Sequence, residues 1–305
     1  MSNLFYADTA WGFGGGAIYS VMSNPTIVGN TFDSILGRTG GGVIHVAWYS
    51  PTISNNIFTS NSGAVGGAIC CATNAVYPSY PIIANNLFSG NLGGYGGAFE
   101  CSGADATLTG NIFVGNQAGL GGALTVDNGG TVSLSRCVFV GNYAPGTCGY
   151  GGAIYAYDGL ASVENCTFTA NRADAKGGAL AALSQSSFQF KNTILWGDSA
   201  GTGPELYVVA TSRAYVTYSD VQGGWKGTGN IAVDPQFVAP PDSVQIGVGS
   251  PCIDGGDPDS PRDPDSTRAD MGAYYYDQGT GPSRRTGSIG LPGTRVPFRE
   301  HLPER

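Results

Sequence analysis

A Gly-Gly-small-apolar tetrad recurs along almost the whole chain, and it restricts the fold more than any other feature. The copies are Gly15-Gly16-Ala17-Ile18, Gly41-Gly42-Val43-Ile44, Gly66-Gly67-Ala68-Ile69, Gly96-Gly97-Ala98-Phe99, Gly121-Gly122-Ala123-Leu124, Gly151-Gly152-Ala153-Ile154 and Gly177-Gly178-Ala179-Leu180. Their first glycines lie 26, 25, 30, 25, 30 and 26 residues apart. A second signature keeps the same phase: Asn56, Phe58, Asn61; Asn86, Phe88, Asn91; Asn111, Phe113, Asn116; then Cys137, Phe139, Asn142 and Cys166, Phe168, Asn171. Two interleaved motifs with one period identify a repeat array, which is counted in coils rather than in domains.

A coil of about 25 residues with three or so short strands has the size of one rung of a parallel β-helix. The spacing therefore predicts an all-β, single-stranded parallel β-helix, a solenoid of about seven or eight coils. Identical residues then align from rung to rung, so the Asn columns become hydrogen-bonded ladders and the Phe column an aromatic stack. Inward positions are Ile27, Ile53, Ile83, Leu108, Leu134 and Val163, five residues before each Phe. On the GGA strand, alternation sends Ile18, Ile44, Ile69, Phe99, Leu124, Ile154 and Leu180 inward, and Cys71, Cys101 and Val126 with them. The alanines and the column Tyr19, His45, Cys70, Glu100, Thr125, Tyr155, Ala181 are expected to face outward.

Fifty glycines and only 12% charged residues suit short strands and tight turns. A formal charge of −8 with few basic residues in the repeats argues against nucleic acid as a partner. No run of 18 apolar residues is present, so no membrane span is expected. Met1 to Trp11 lacks the basic start and apolar core of a secretory signal. Asn3, Phe5 and Asp8 already occupy repeat columns, so the chain is expected to begin in mid-coil, with end-to-end self-association through that first coil. The expected division is 1–200 for the coils, 201–277 for irregular C-terminal coils and a closing segment, and 278–305 for a disordered tail.

Beyond the repeats come Tyr218-Ser219-Asp220-Val221-Gln222-Gly223-Gly224, Asp234-Pro235-Gln236-Phe237, Ser250-Pro251-Cys252-Ile253-Asp254-Gly255-Gly256-Asp257-Pro258 and Arg268-Ala269-Asp270-Met271-Gly272-Ala273-Tyr274. The GGAI and N-x-F-x-x-N coils resemble the β-helix repeats of the pectin-lyase-like superfamily, including chlamydial polymorphic outer-membrane proteins. The later motifs resemble the closing region of secreted bacterial β-helix proteins that carry a choice-of-anchor domain. The resemblance implies a right-handed helix, export and an extracellular or cell-surface location.

Three constellations are candidates for chemistry. His45, Cys70 and Glu100 fall on consecutive rungs and combine the ingredients of a nucleophilic site. Tyr19, Trp48, Tyr155 and Tyr157, with Glu100, Asp127 and Asp158, would form a carbohydrate groove in which two carboxylates could act as acid and base. Lyases of the resembling superfamily use a Ca²⁺ cluster and a basic residue, and these outward columns hold no Lys or Arg. Asp257, Asp259, Asp263 and Asp265, flanked by Asp254 and Asp270, could wrap a Ca²⁺ ion. The first functional expectation is an exported surface protein with a structural, adhesive or self-assembling role and no catalysis. The second is a carbohydrate-active protein, either a polysaccharide lyase, a glycoside hydrolase or a glycan binder. Cys71 with Cys101 and Cys137 with Cys166 share columns, where parallel side chains favour free thiols over disulfides.

Overall fold

A computed structural model describes residues 2–279 apart from 13, 39, 74–76 and 241–242. The tail expected from 278 therefore lies, from 280 onward, outside the described residues. The chain is an all-β parallel solenoid of about eight turns, each turn contributing one strand to each of four sheets. The first sheet has nine strands, from Leu4–Tyr6 to Asp220–Val221, and the other three have eight each. The strands of these four sheets pair in parallel with their equivalents one coil on, so Phe5 faces Phe32, Phe32 faces Phe58 and Phe58 faces Phe88, while Phe237–Ala239 and Ser243–Ile246 form a separate antiparallel pair.

That register makes the columns. Seven Phe rings from Phe5 to Phe168 stack with centroids 4.6–5.0 Å apart and planes within 15° of parallel. The stack ends where Leu195 and Val221 take the column. One polar ladder runs Asn3, Asn30, Asn56, Asn86, Asn111, each Oδ1 accepting from the Asn one coil earlier. Cys137, Cys166, Thr193 and Ser219 continue it with weaker acceptors, and Asn230 ends it by accepting the Ser219 N–H at 3.1 Å. These buried Asn side chains serve turn amides that no strand can reach, which is why the core tolerates them.

Ile27, Ile53, Ile83, Leu108, Leu134 and Val163 are buried as expected. The alanines are not outward. Ala68, Ala98, Ala123, Ala153 and Ala179 are buried in the core beside their neighbours Ile69, Phe99, Leu124, Ile154 and Leu180. Strand alternation starts only after the Gly-Gly turn: the N–H groups of both Ala98 and Phe99 donate to the Ala123 carbonyl, so two successive residues turn inward. The turn itself needs glycine. Gly96 has φ +59°, and a Cβ there would strike the Phe99 carbonyl oxygen, while one on Gly97 would strike Gly122 in the next coil.

The closing segment packs alongside the coils. Val244, Phe237, Ala273 and Tyr274 cover Ile112, Val138 and Val140 on the outer face of the first sheet, and Ile246, Cys252 and Met271 cover Ile194. Long-range bonds fix it there, from Gly272 N–H to the Asn192 carbonyl and from Ala273 N–H to Thr167 Oγ1 at 2.9 Å. All seven cysteines are free thiols.

Candidate functional site

The third sheet carries the column Tyr19, His45, Cys70, Glu100, Thr125, Tyr155, Ala181, Tyr207 in unbroken register. It was expected as an open face and is instead the floor of a trough. Cys70 is 2% exposed, Glu100 6%, Thr125 0% and Tyr155 7%. The Gly-Gly turns lie against this column: a Cβ on Gly96, Gly121, Gly151 or Gly177 would meet Thr125, Thr125, Tyr155 or Ala181. Thr125 Oγ1 donates to the Leu120 carbonyl at 3.0 Å, and a Cβ on Gly41 would lie 2.9 Å from Cys70 Cβ. From the fourth to the seventh Gly-Gly pair the preceding residue forms a wall, with Tyr95 facing Leu120, Leu120 facing Tyr150, and Tyr150 facing Lys176. On the other side Ser102, Asp127, Tyr157 and Leu183 share one register line.

Within the trough the structure brings Glu100, Asp127, Tyr155 and Tyr157 together on the fourth to sixth coils. Tyr95 and Tyr150 stand in the adjoining wall, and burial, followed by neighbouring acidic and phenolic groups, pushes the Tyr155 hydroxyl up to about 12. Neither was singled out in the sequence, although both stand directly before Gly-Gly, a position that marks the wall. Tyr95 and Tyr157 remain about half exposed and offer ring faces to solvent. Asp158 follows Tyr157 in a positive-φ turn and is exposed at the trough edge. Tyr19 and Trp48 lie elsewhere: Tyr19 meets His45 edge-on at 5.4 Å and Trp48 meets Tyr77 at 5.3 Å. With a rise of about 4.8 Å per coil, Trp48 and Tyr157 are roughly 19 Å apart. The expected groove therefore divides into two aromatic groups. The two long coils also place their extra residues, around Tyr77–Tyr80 and Pro145–Tyr150, at opposite edges of the third sheet.

Electrostatics separate the candidate roles. Burial pushes the Glu100 carboxyl up to about 7, nearby Asp127 adds to the rise, and the Cys70 thiol bonded to Oε2 at 3.2 Å opposes it. Burial also raises Asp127, against a hydrogen bond with Ser102. Cys70 is pushed well above the ordinary thiol range, first by burial and then by Glu100, so it stays protonated and donates to the carboxylate. His45 is lowered by burial, and its Nδ1 accepts the Gly41 N–H at 3.4 Å. A protonated thiol turned away from the imidazole is not the activated pair that nucleophilic chemistry requires.

The acidic loop is engaged with backbone. Asp257 accepts from the Asp259 N–H, Asp263 from the Asp270 N–H, and Asp265 from the amides of Thr267 and Gln278. Asp270 in turn accepts from Asp254 and Tyr276. Among the described residues no three His, Cys, Asp or Glu side chains converge as metal ligands.

The architecture and the columns define a parallel β-solenoid protein. The family model of the Chlamydia polymorphic membrane protein repeat matches residues 136–157 and 165–183, two consecutive stretches that each span a Phe column and a GGA strand. In those two stretches the chain is similar to that repeat. No curated protein and no solved structure matches the chain. Among the described residues no helix is long and apolar enough to cross a membrane.

Proposed function

We propose that this chain is an exported, surface-displayed β-helix protein whose tyrosine-lined trough binds a polysaccharide without transforming it. The repeat type supports display, because the family it matches is one of bacterial membrane proteins. The observation that carries the binding reading is the register that sets Asp127 beside Tyr157 and Thr125 beside Tyr155, with Tyr95 and Tyr150 in the adjoining wall. Tyrosine rings offer flat apolar faces with a polar tip, and a carboxylate accepts bonds from hydroxyls, the combination that suits a sugar chain lying lengthwise. The same proposal includes association of copies through the first coil, where Leu4, Tyr6 and Trp11 are 63–71% exposed.

A second reading is glycoside hydrolysis, favoured by Glu100 at about 7 beside Asp127, the acid and base range such chemistry uses. Against it, Glu100 is almost wholly buried and its Oε2 already accepts from Cys70. The deciding experiment is a panel of neutral and acidic polysaccharides read for both retention and product. Retention without new reducing or unsaturated ends supports the binder. Products that vanish in Glu100→Gln transfer the trough to the hydrolase reading, and neither retention nor product overturns both.

A further inference from the structure

The second polar ladder of the solenoid ends in an unusual way. It begins with the Ile35 N–H donating to Asn61 Oδ1 and proceeds through Asn91, Asn116, Asn142 and Asn171. Each Oδ1 accepts from the earlier coil, and each Nδ2 donates to a phenylalanine carbonyl of that coil. Asn61 reaches Phe32, Asn91 Phe58, Asn116 Phe88, Asn142 Phe113 and Asn171 Phe139, all at 3.0–3.1 Å. The next member is Asp198. Its Oδ1 behaves as an Asn Oδ1 does, accepting the Asn171 backbone N–H at 2.6 Å and Nδ2 at 2.8 Å.

Asp198 Oδ2 therefore stands where an amide nitrogen stood in five coils, at the place from which those amides reach a phenylalanine carbonyl. It is buried without a hydrogen-bond partner. Glu205 comes from the eighth coil at the column held by Ala123, Ala153 and Ala179. Its Oε1 accepts the Asp198 N–H at 3.3 Å, the bond that an Asn of a further coil would have accepted. Its Oε2 is also buried without a partner. Asp198 and Glu205 are 6% and 5% exposed.

Two adjoining buried carboxylates with no ion pair to a basic side chain among the described residues cannot both stay ionised. We propose that Asp198 and Glu205 hold one proton between them, that it replaces the amide hydrogen missing from the ladder, and that its release as pH rises loosens the last coil. The charged groups facing the pair have the same sign. Asp220 acts on Glu205, and Asp220 is itself flanked by the Cys252 thiol and by Asp234. Burial is the largest influence on both members and pushes both upward. Because the folded values exceed the unfolded ones, the contribution to stability is complete at acid pH. It falls from about pH 4 upward as the unfolded carboxyls ionise first.

The test is amide hydrogen exchange across residues 194–208 of the full chain between pH 5 and 9, corrected for intrinsic rates. In the wild type the opening equilibrium should rise by up to about tenfold per pH unit for one proton released. Asp198→Asn restores the residue used in the five coils before it and should flatten that slope. Glu205→Gln removes the like charge and should flatten it too, which keeps the test available if the first variant folds poorly. A flat wild-type profile, or variants with the wild-type slope, would overturn the proposal. Protection of the segment by millimolar Ca²⁺ or Mg²⁺ in the wild type but not in Asp198→Asn would also overturn it, making the occupant a metal ion.

Discussion

At Glu100 a carboxyl is pushed from its ordinary 4.5 up to about 7 by burial, against a single thiol donor. A raised acid contributes fully below its unfolded value and loses that contribution as pH climbs to about 7. Glu100→Gln should therefore stabilise the protein at pH 8, by up to on the order of 3 kcal/mol, and do nothing near pH 4. Urea denaturation at the two pH values checks this, and equal effects at both would refute the burial argument. Asn116 makes the opposite case. Its Oδ1 accepts two bonds from Asn91 and its Nδ2 satisfies the Phe88 carbonyl, all in the core. Asn116→Ala takes that partner from the Asn91 N–H and the Phe88 carbonyl and leaves Asn91 Nδ2 with only its bond to Phe58, so it should cost about 3 kcal/mol or more in the same assay. The ladders could be read from the sequence because every coil needs the same amide chemistry at the same place. Asp198 and Glu205 could not, since their meaning comes only from occupying an Asn and an Ala column.

The strands inherit their limits from the turn between them. In the wall of the trough, Gly121 has φ +65°, and a Cβ would collide with the Leu124 carbonyl and come within 2.7 Å of Thr125 Oγ1. Gly121→Ala should lower stability by roughly 1–3 kcal/mol and distort the trough. Calorimetry of that variant against Gly115→Ala, also at positive φ but with open space around it, isolates the collision from the backbone strain. Along the first sheet, Phe113→Ala leaves a hole between two stacked rings and should cost about 3–5 kcal/mol. Phe5→Ala, at a half-buried end with one ring neighbour, should cost clearly less. Period-two reasoning placed Ile69 and Cys71 correctly but turned Ala68 outward, because alternation presumes an unbroken strand and the glycine turn interrupts it. The wall column Tyr95, Leu120, Tyr150, Lys176 escaped notice for a related reason: backbone direction defines it, and Tyr, Leu and Lys mix in it with no constant side-chain type.

Over the whole molecule, short-range repetition builds the solenoid, while a non-repeating strap protects one face of it. The YSDVQGG and SPCIDGGDP motifs announced a change of structure, yet where the strap lies depends on contacts such as Asn192 with Asp257, 65 residues apart. No local pattern encodes those. Met271 and Cys252 sit at its centre, fully covered against Ile194. Met271→Asp should detach the strap while leaving the coils folded, visible as new binding of a hydrophobic dye with an unchanged far-ultraviolet strand signal. The strap covers the first sheet and the trough lies on the third, so polysaccharide retention should be unchanged in the same variant. The most direct measurement of the central claim is the affinity of the full chain for the polysaccharides of the panel, compared with the Tyr95→Ala, Tyr157→Ala double variant. Binding in the wild type that weakens at least tenfold in the double variant, with unchanged thermal stability, is the predicted result. Equal affinity in the two proteins would contradict the account and move the ligand site off the trough.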